Sequence, residues 1–175
     1  MLDTRELGRR PGSQREESRT VPAPADLGIE VLSVPEGSPV ELDLRLEAVM
    51  DGVLVTGAAD VVLEGECVRC LERIDDETTV RFQELYLYPD DRSADEEDDD
   101  VHRLEGDLLD LEPVLRDAVV LALPFQPLCR EDCPGLCVEC GARLADDPDH
   151  GHDAPVDPRW AALTALHDQQ EPDED

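Results

Sequence analysis

Val40-Glu41-Leu42-Asp43-Leu44-Arg45-Leu46-Glu47-Ala48 alternates apolar and polar residues without a break. A β-strand points successive side chains to opposite faces. Val40, Leu42, Leu44, Leu46 and Ala48 therefore share one face, and Glu41, Asp43, Arg45 and Glu47 the other. Such a run predicts a half-buried strand of an antiparallel sheet, dry on one side and wet on the other. Downstream, Asp51-Gly52 supplies the positive-φ turn of a tight hairpin. Val53 to Glu64 returns as the partner strand, with Gly57 expected as a bulge. A third strand is expected over Thr78 to Tyr88. Upstream, Leu27 to Val34 reads as a short strand closed by Pro35-Glu36-Gly37-Ser38-Pro39.

After the strands comes one helix. Leu111-Glu112-Pro113 opens it with a proline in its first turn, and Pro124 stops it. Val114, Leu115, Ala118, Val119, Leu121 and Ala122 form a broad apolar face, expected to cover the sheet. Asp157-Pro158 starts a last short helix, with Trp160, Leu163 and His167 on one stripe and Trp160 as an anchor. His102 and His167 read as surface residues. The fold class is α+β, an antiparallel β meander covered by a helix.

One region fits neither period. Cys129-Arg-Glu-Asp-Cys133-Pro-Gly-Leu-Cys137-Val-Glu-Cys140-Gly141 places four cysteines within twelve residues, and His150-Gly151-His152 follows. Cys67-Val68-Arg69-Cys70 sits where two strands turn back on each other. Clustered cysteines of this kind hold metal more often than disulfides in a reducing compartment. A C-x2-C turn aims both sulfurs inward, and a glycine after the second cysteine eases the turn. Cys67, Cys70, Cys129, Cys133, Cys137, Cys140, His150 and His152 make four pairs, enough for two four-coordinate zinc sites.

Sequence does not settle which pair joins which. Cys137, Cys140, His150 and His152 are favoured as a local site because nine residues separate the halves. Cys67, Cys70, Cys129 and Cys133 then tie the strands to the segment after the helix. Zinc thus staples the Cys-rich C-terminal segment 129–152. Arg69, Arg73 and Arg130 are placed to offset the net charge of about -2 on a four-thiolate site. Two rival chemistries fit the cysteines less well. Cys133-x3-Cys137-x2-Cys140 has the spacing of a radical-SAM cluster loop, but only 35 residues follow for the barrel such enzymes need. A redox dithiol at Cys67 and Cys70 wants a following amphipathic helix, whereas a strand is expected there.

Composition frames the partner. The 175 residues carry a formal charge of -30, and all 15 basic residues are arginine. A chain of that sign repels phosphate and suits a basic partner. Residues 1–26 are expected as a flexible Arg-rich arm; Arg5, Arg9, Arg10, Arg15 and Arg19 are its candidates for any contact with nucleic-acid phosphate. The main domain is expected over 27–168, with an acidic disordered loop at 89–106, and 169–175 as an acidic tail. Asp95 to Asp100 lack the spaced oxygens and glycine of a calcium loop. The longest apolar run, Ala118 to Phe125, is too short to span a bilayer, which leaves a cytoplasmic, non-membrane reading. No Gly-rich phosphate loop or serine-centred nucleophile motif is present, so the chain is expected not to be an enzyme.

The motifs resemble the bacterial YceD family, and its actinobacterial branch in particular. The resemblance rests on Glu66-Cys67-Val68-Arg69-Cys70, Leu121-Ala122-Leu123-Pro124, the run Leu128 to Cys137 and Asp157-Pro158-Arg159. Thr4 to Gly12 and the lack of lysine resemble the actinobacterial branch. The resemblance implies a non-enzymatic role in accumulation of large-subunit ribosomal RNA. It implies as partner a basic large-subunit ribosomal protein or a ribosomal precursor, since relatives are often encoded beside such a protein. Relatives commonly show Cys-x-Cys where this chain has His150-Gly151-His152, and zinc accepts either ligand. The alternatives are a thiol-redox or metal-dependent enzyme, and a transcription-type zinc ribbon, which the acidic charge disfavours.

Overall fold

A computed structural model describes residues 1–89 and 101–152. In chain order the elements are β1 (Leu2–Asp3), β2 (Gln14–Pro22), β3 (Leu27–Ile29), β4 (Leu32–Val34), β5 (Pro39–Ala48), β6 (Gly52–Glu66), β7 (Arg73–Leu87), β8 (Leu108–Leu109) and α1 (Glu112–Ala122). The chain divides into two units, Met1–Cys133 and Pro134 onward, where sequence led us to expect a single domain over 27–168. All nine elements lie in the first unit.

The alternating run forms β5, and its apolar residues are buried. Removing each such side chain from water contributes roughly 1.5–3 kcal/mol. β5 pairs with β6 (Leu44↔Gly57), and β6 pairs with β7 along its whole length, from Gly52↔Leu87 to Glu66↔Arg73. β7 begins at Arg73, five residues before the expected start, because the register simply continues outward from the hairpin. Gly57 is not a bulge. An added Cβ there would meet the Phe82 ring at 2.3 Å and Leu44 at 2.9 Å, so glycine makes room for core side chains on both neighbouring strands. Residues 27–34 form two short strands, with Leu32↔Gly65 joining β4 to the far end of β6.

The N-terminal segment departs most from expectation. Residues 14–22 are the edge strand β2, in continuous register with β5 from Gln14↔Glu47 to Pro22↔Pro39. Leu2 and Asp3 pair with β8. Its polar composition misled the reading, since an edge strand needs a free partner edge more than an apolar sequence. Four of its five arginines meet acids. Arg5 pairs with Asp3 at 3.2 Å, Arg9 with Asp107 at 3.9 Å, Arg15 with Glu6 at 3.5 Å and with Glu17 at 3.0 Å, and Arg19 with Glu17. Arg116 of α1 donates to the carbonyls of Asp26 (2.5 Å) and Ala25 (3.0 Å), pinning the chain as it leaves β2.

α1 packs against β7 and β3 through Val114, Leu115 and Val119. Leu121 and Ala122 face solvent, so the apolar face is narrower than the sequence suggests. Leu123 adopts φ -71° and ψ 137°, the extended conformation that a following proline imposes. Within the acidic loop expected over 89–106, residues 102–105 are hydrogen-bonded to β7 and β8. His102 accepts from the Leu87 N–H (2.9 Å), Leu104 donates to Leu87 (2.9 Å), and the His102 ring lies 5.4 Å from that of Tyr86, half-buried rather than on the surface. The acidic run Asp95–Asp100, the helix expected from Asp157 with Trp160 and His167, and the tail 169–175 lie outside the described residues.

Candidate metal centres

Two groups of side chains bring ligand atoms together, each group's atoms all within 4.8 Å of one another. The first is Cys67, Cys70, Cys129 and Cys133; the second is Cys137, Cys140, His150 and His152. Each lies inside one unit.

The first group joins residues 59 apart in sequence, with Cys70 Sγ 3.5 Å from Cys129 Sγ and Cys67 Sγ 3.8 Å from Cys133 Sγ. β6 and β7 deliver Cys67 and Cys70 through the turn between them, and α1 and its exit deliver Cys129 and Cys133. The Val68 N–H donates to Pro127 O at 3.0 Å, tying the two turns together. Cys67, Cys70 and Cys133 are buried and Cys129 is exposed. Burial pushes the Cys67 thiol up, but N–H groups of Cys129, Arg69 and Cys70 outweigh it and bring its pKa down to about 6. Cys129 is pushed up to about 12, first by its contact with the Cys70 sulfur and then by burial. The arrangement favours a thiolate at Cys67 without help, whereas Cys70 and Cys129 are pushed up and would need a cation to stay ionised. Of the three arginines expected to offset that charge, Arg69 reaches the cluster, donating to Cys133 O at 3.0 Å. Arg73 is held by Glu64 and Asp75, and Arg130 by Asp132.

In the second group, Cys140 Sγ lies 3.1 Å from His150 Nε2 and 3.2 Å from His152 Nε2, and the two Nε2 atoms are 2.9 Å apart. Both rings thus aim the same nitrogen at one point. Behind them, Asp147 stands 3.8 Å from His150 Nδ1 and Glu139 stands 3.5 Å from His152 Nδ1. Carboxylates in that place orient a ligating imidazole and raise its basicity. Neither acid was singled out from sequence, although each sits within three residues of a ligand. Backbone N–H groups of Cys140 and Glu139 lower the Cys137 thiol to about 6 against burial.

The two C-x2-C turns share one hydrogen-bond pattern. Cys67 N–H donates to Glu72 O (2.8 Å) and Leu71 N–H to Cys67 O (2.9 Å). Likewise, Cys137 N–H donates to Ala142 O (2.7 Å) and Gly141 N–H to Cys137 O (2.8 Å). The residue after the second cysteine is left-handed in both, with φ 58° at Leu71 and 73° at Gly141. The likeness was legible in the shared Cys-Val-x-Cys, but the leucine masked it.

Fold and sites together define an α+β protein of mostly antiparallel sheet, carrying two clusters that can hold a metal ion. The chain belongs to the YceD family: the family described as "Large ribosomal RNA subunit accumulation protein YceD" matches residues 55–167. An uncharacterized protein of Mycobacterium tuberculosis is 45% identical over 166 residues, covering 94% of this chain and 80% of that one. An uncharacterized protein of Mycobacterium leprae is 43% identical over 168 residues, covering 95% and 76%. The uncharacterized protein YlbN of Bacillus subtilis is 30% identical over 117 residues, covering 64% and 67%. No solved structure gives a significant match. Among the described residues, no helix is long and apolar enough to cross a membrane.

Proposed function

We propose that this chain is a cytoplasmic, non-enzymatic ribosome-assembly factor that supports accumulation of large-subunit ribosomal RNA by engaging a basic large-subunit protein or a precursor particle containing one. The family match over residues 55–167 carries the reading. The formal charge of -30 supports a basic protein over RNA as the direct partner. So does the pairing of Arg5, Arg9, Arg15 and Arg19 with acids, which leaves Arg10 alone of the five without an ion pair among the described residues.

Both clusters are proposed to hold zinc. Four Zn–S bonds of about 2.3 Å, arranged tetrahedrally, set sulfurs roughly 3.8 Å apart. The first cluster already shows 3.5 and 3.8 Å. The 2.9–3.2 Å spacings of the second are tighter than a zinc tetrahedron, and its mixed donors suit the same ion after slight expansion. Four protein ligands at each site leave no place for a reactive water, so the zinc is structural. Depleting the protein in its host should lower the ratio of large- to small-subunit ribosomal RNA, and the wild-type chain should restore it. An unchanged ratio in depleted cells would sink the assembly role.

A further inference from the structure

The sheet face opposite α1 is bare among the described residues, and its charges are arranged against the fold's own interest. Glu41 of β5 lies directly across from Asp60 of β6. Asp60 pairs with Thr79, so its diagonal neighbours on β7 are Glu77 on one side and Arg81 on the other, and Arg81 forms no ion pair with it among the described residues. The three acids, and Arg81, are exposed. Like charges facing each other across strands destabilise a sheet, and packing requires none of these acids. Asp43 and Asp60 accept from the hydroxyls of Ser18 and Thr79, so both carboxylates are oriented but not neutralised. Arg73 lies between Glu64 and Asp75, whereas Glu41, Asp43, Asp60 and Glu77 have no cation within ion-pair distance among the described residues.

We propose that this open face of β5, β6 and β7 is the docking surface for an extended lysine- or arginine-rich protein segment. The inference rests on the proposed basic ribosomal partner and names where that partner sits. Sign excludes nucleic acid, whose phosphates these carboxylates repel. Spacing favours an extended segment. Same-face residues repeat about every 6.8 Å along a strand, and alternate side chains of an extended peptide repeat at the same distance. Cations from such a segment lie between the acid rows and relieve the Glu41–Asp60 repulsion, so binding removes a cost that folding alone leaves in place.

The chain contains no lysine, which makes the test unambiguous. A zero-length carbodiimide joins carboxylates to amines, so every link to a lysine comes from the partner. The full chain is mixed with proteins extracted from large ribosomal subunits, cross-linked, and mapped by mass spectrometry. Links are expected from Glu41, Asp60 and Glu77 to lysines of a ribosomal protein. The Glu41→Gln/Asp60→Asn/Glu77→Gln variant should lose them and bind that protein about tenfold more weakly. It should melt no lower than wild type, and Glu36→Gln, on the turn before β5, should bind normally. A ribosomal protein linked only through other carboxylates, or undiminished binding by the triple variant, overturns the surface while sparing the partner reading. Absence of any ribosomal link, together with no co-sedimentation, overturns both.

Discussion

Leu71 and Gly141 hold the same place in two equivalent turns, yet only one is a glycine. A left-handed backbone costs an L-residue with a Cβ about 1 kcal/mol or more, and Leu71 is 60% exposed, so little packing compensates. Leu71→Gly should therefore stabilise the metal-loaded protein by about 0.5–1 kcal/mol after the added unfolded-state freedom is counted. Urea unfolding at fixed zinc measures this, and a loss of stability would mean that the leucine side chain has a contact of its own. The same residue pair shows what sequence conceals locally. Gly141 after Cys140 signals its turn, whereas Leu71 after Cys70 signals nothing, because the strands on either side impose the conformation.

At the scale of elements, the two clusters would depend on the proposed metal to different degrees. No apolar side chain between residues 134 and 152 is buried, so that segment has no core to hold it without its ligands. With the proposed zinc bound, the free energy of folding that segment would come from metal binding. Chelation should strip amide protection from residues 134–152 while the β5–β6–β7 sheet keeps most of its protection, read by hydrogen exchange. His150→Ala should reproduce that loss at the second site with the first still metal-loaded, as shown by elemental analysis falling from two zinc ions to one. Equal collapse of both regions in His150→Ala would refute the separation. β2 carries the second prediction at this scale. Removing residues 1–22 exposes the hydrogen-bonding edge of β5 and uncovers the core beside Leu42 and Leu44. It should destabilise the first unit by about 2 kcal/mol or more, seen as a lower midpoint in thermal unfolding. A flexible arm would have been lost without that effect.

Over the whole molecule, a formal charge of -30 works against compaction. Raising sodium chloride from about 10 mM to about 500 mM shortens the screening length several-fold. The melting temperature should rise by roughly 4 °C, about 1 kcal/mol at this chain length. The same salt should weaken association with a basic partner, so stability and binding move in opposite directions. A melting temperature that falls with salt would show that attractive ion pairs such as Arg15–Glu17 outweigh the net repulsion.

What the sequence determined by itself is whatever repeats at short range. The alternation of β5 set the two faces of the sheet, the prolines bracketed α1, and cysteine spacing marked the ligand pairs; Asp51-Gly52 marked the place of the hairpin, although neither residue takes the positive φ expected of that turn and Gly52 already belongs to β6. The nine-residue gap also singled out Cys137, Cys140, His150 and His152, which the structure brings within 4.8 Å. Tertiary structure alone decided the rest. It placed β2 on the edge of β5 and set Glu41 across from Asp60. Each of these is a register between segments distant in the chain. Register is chosen by the summed pairing of whole strands, so no local pattern of residues announces it.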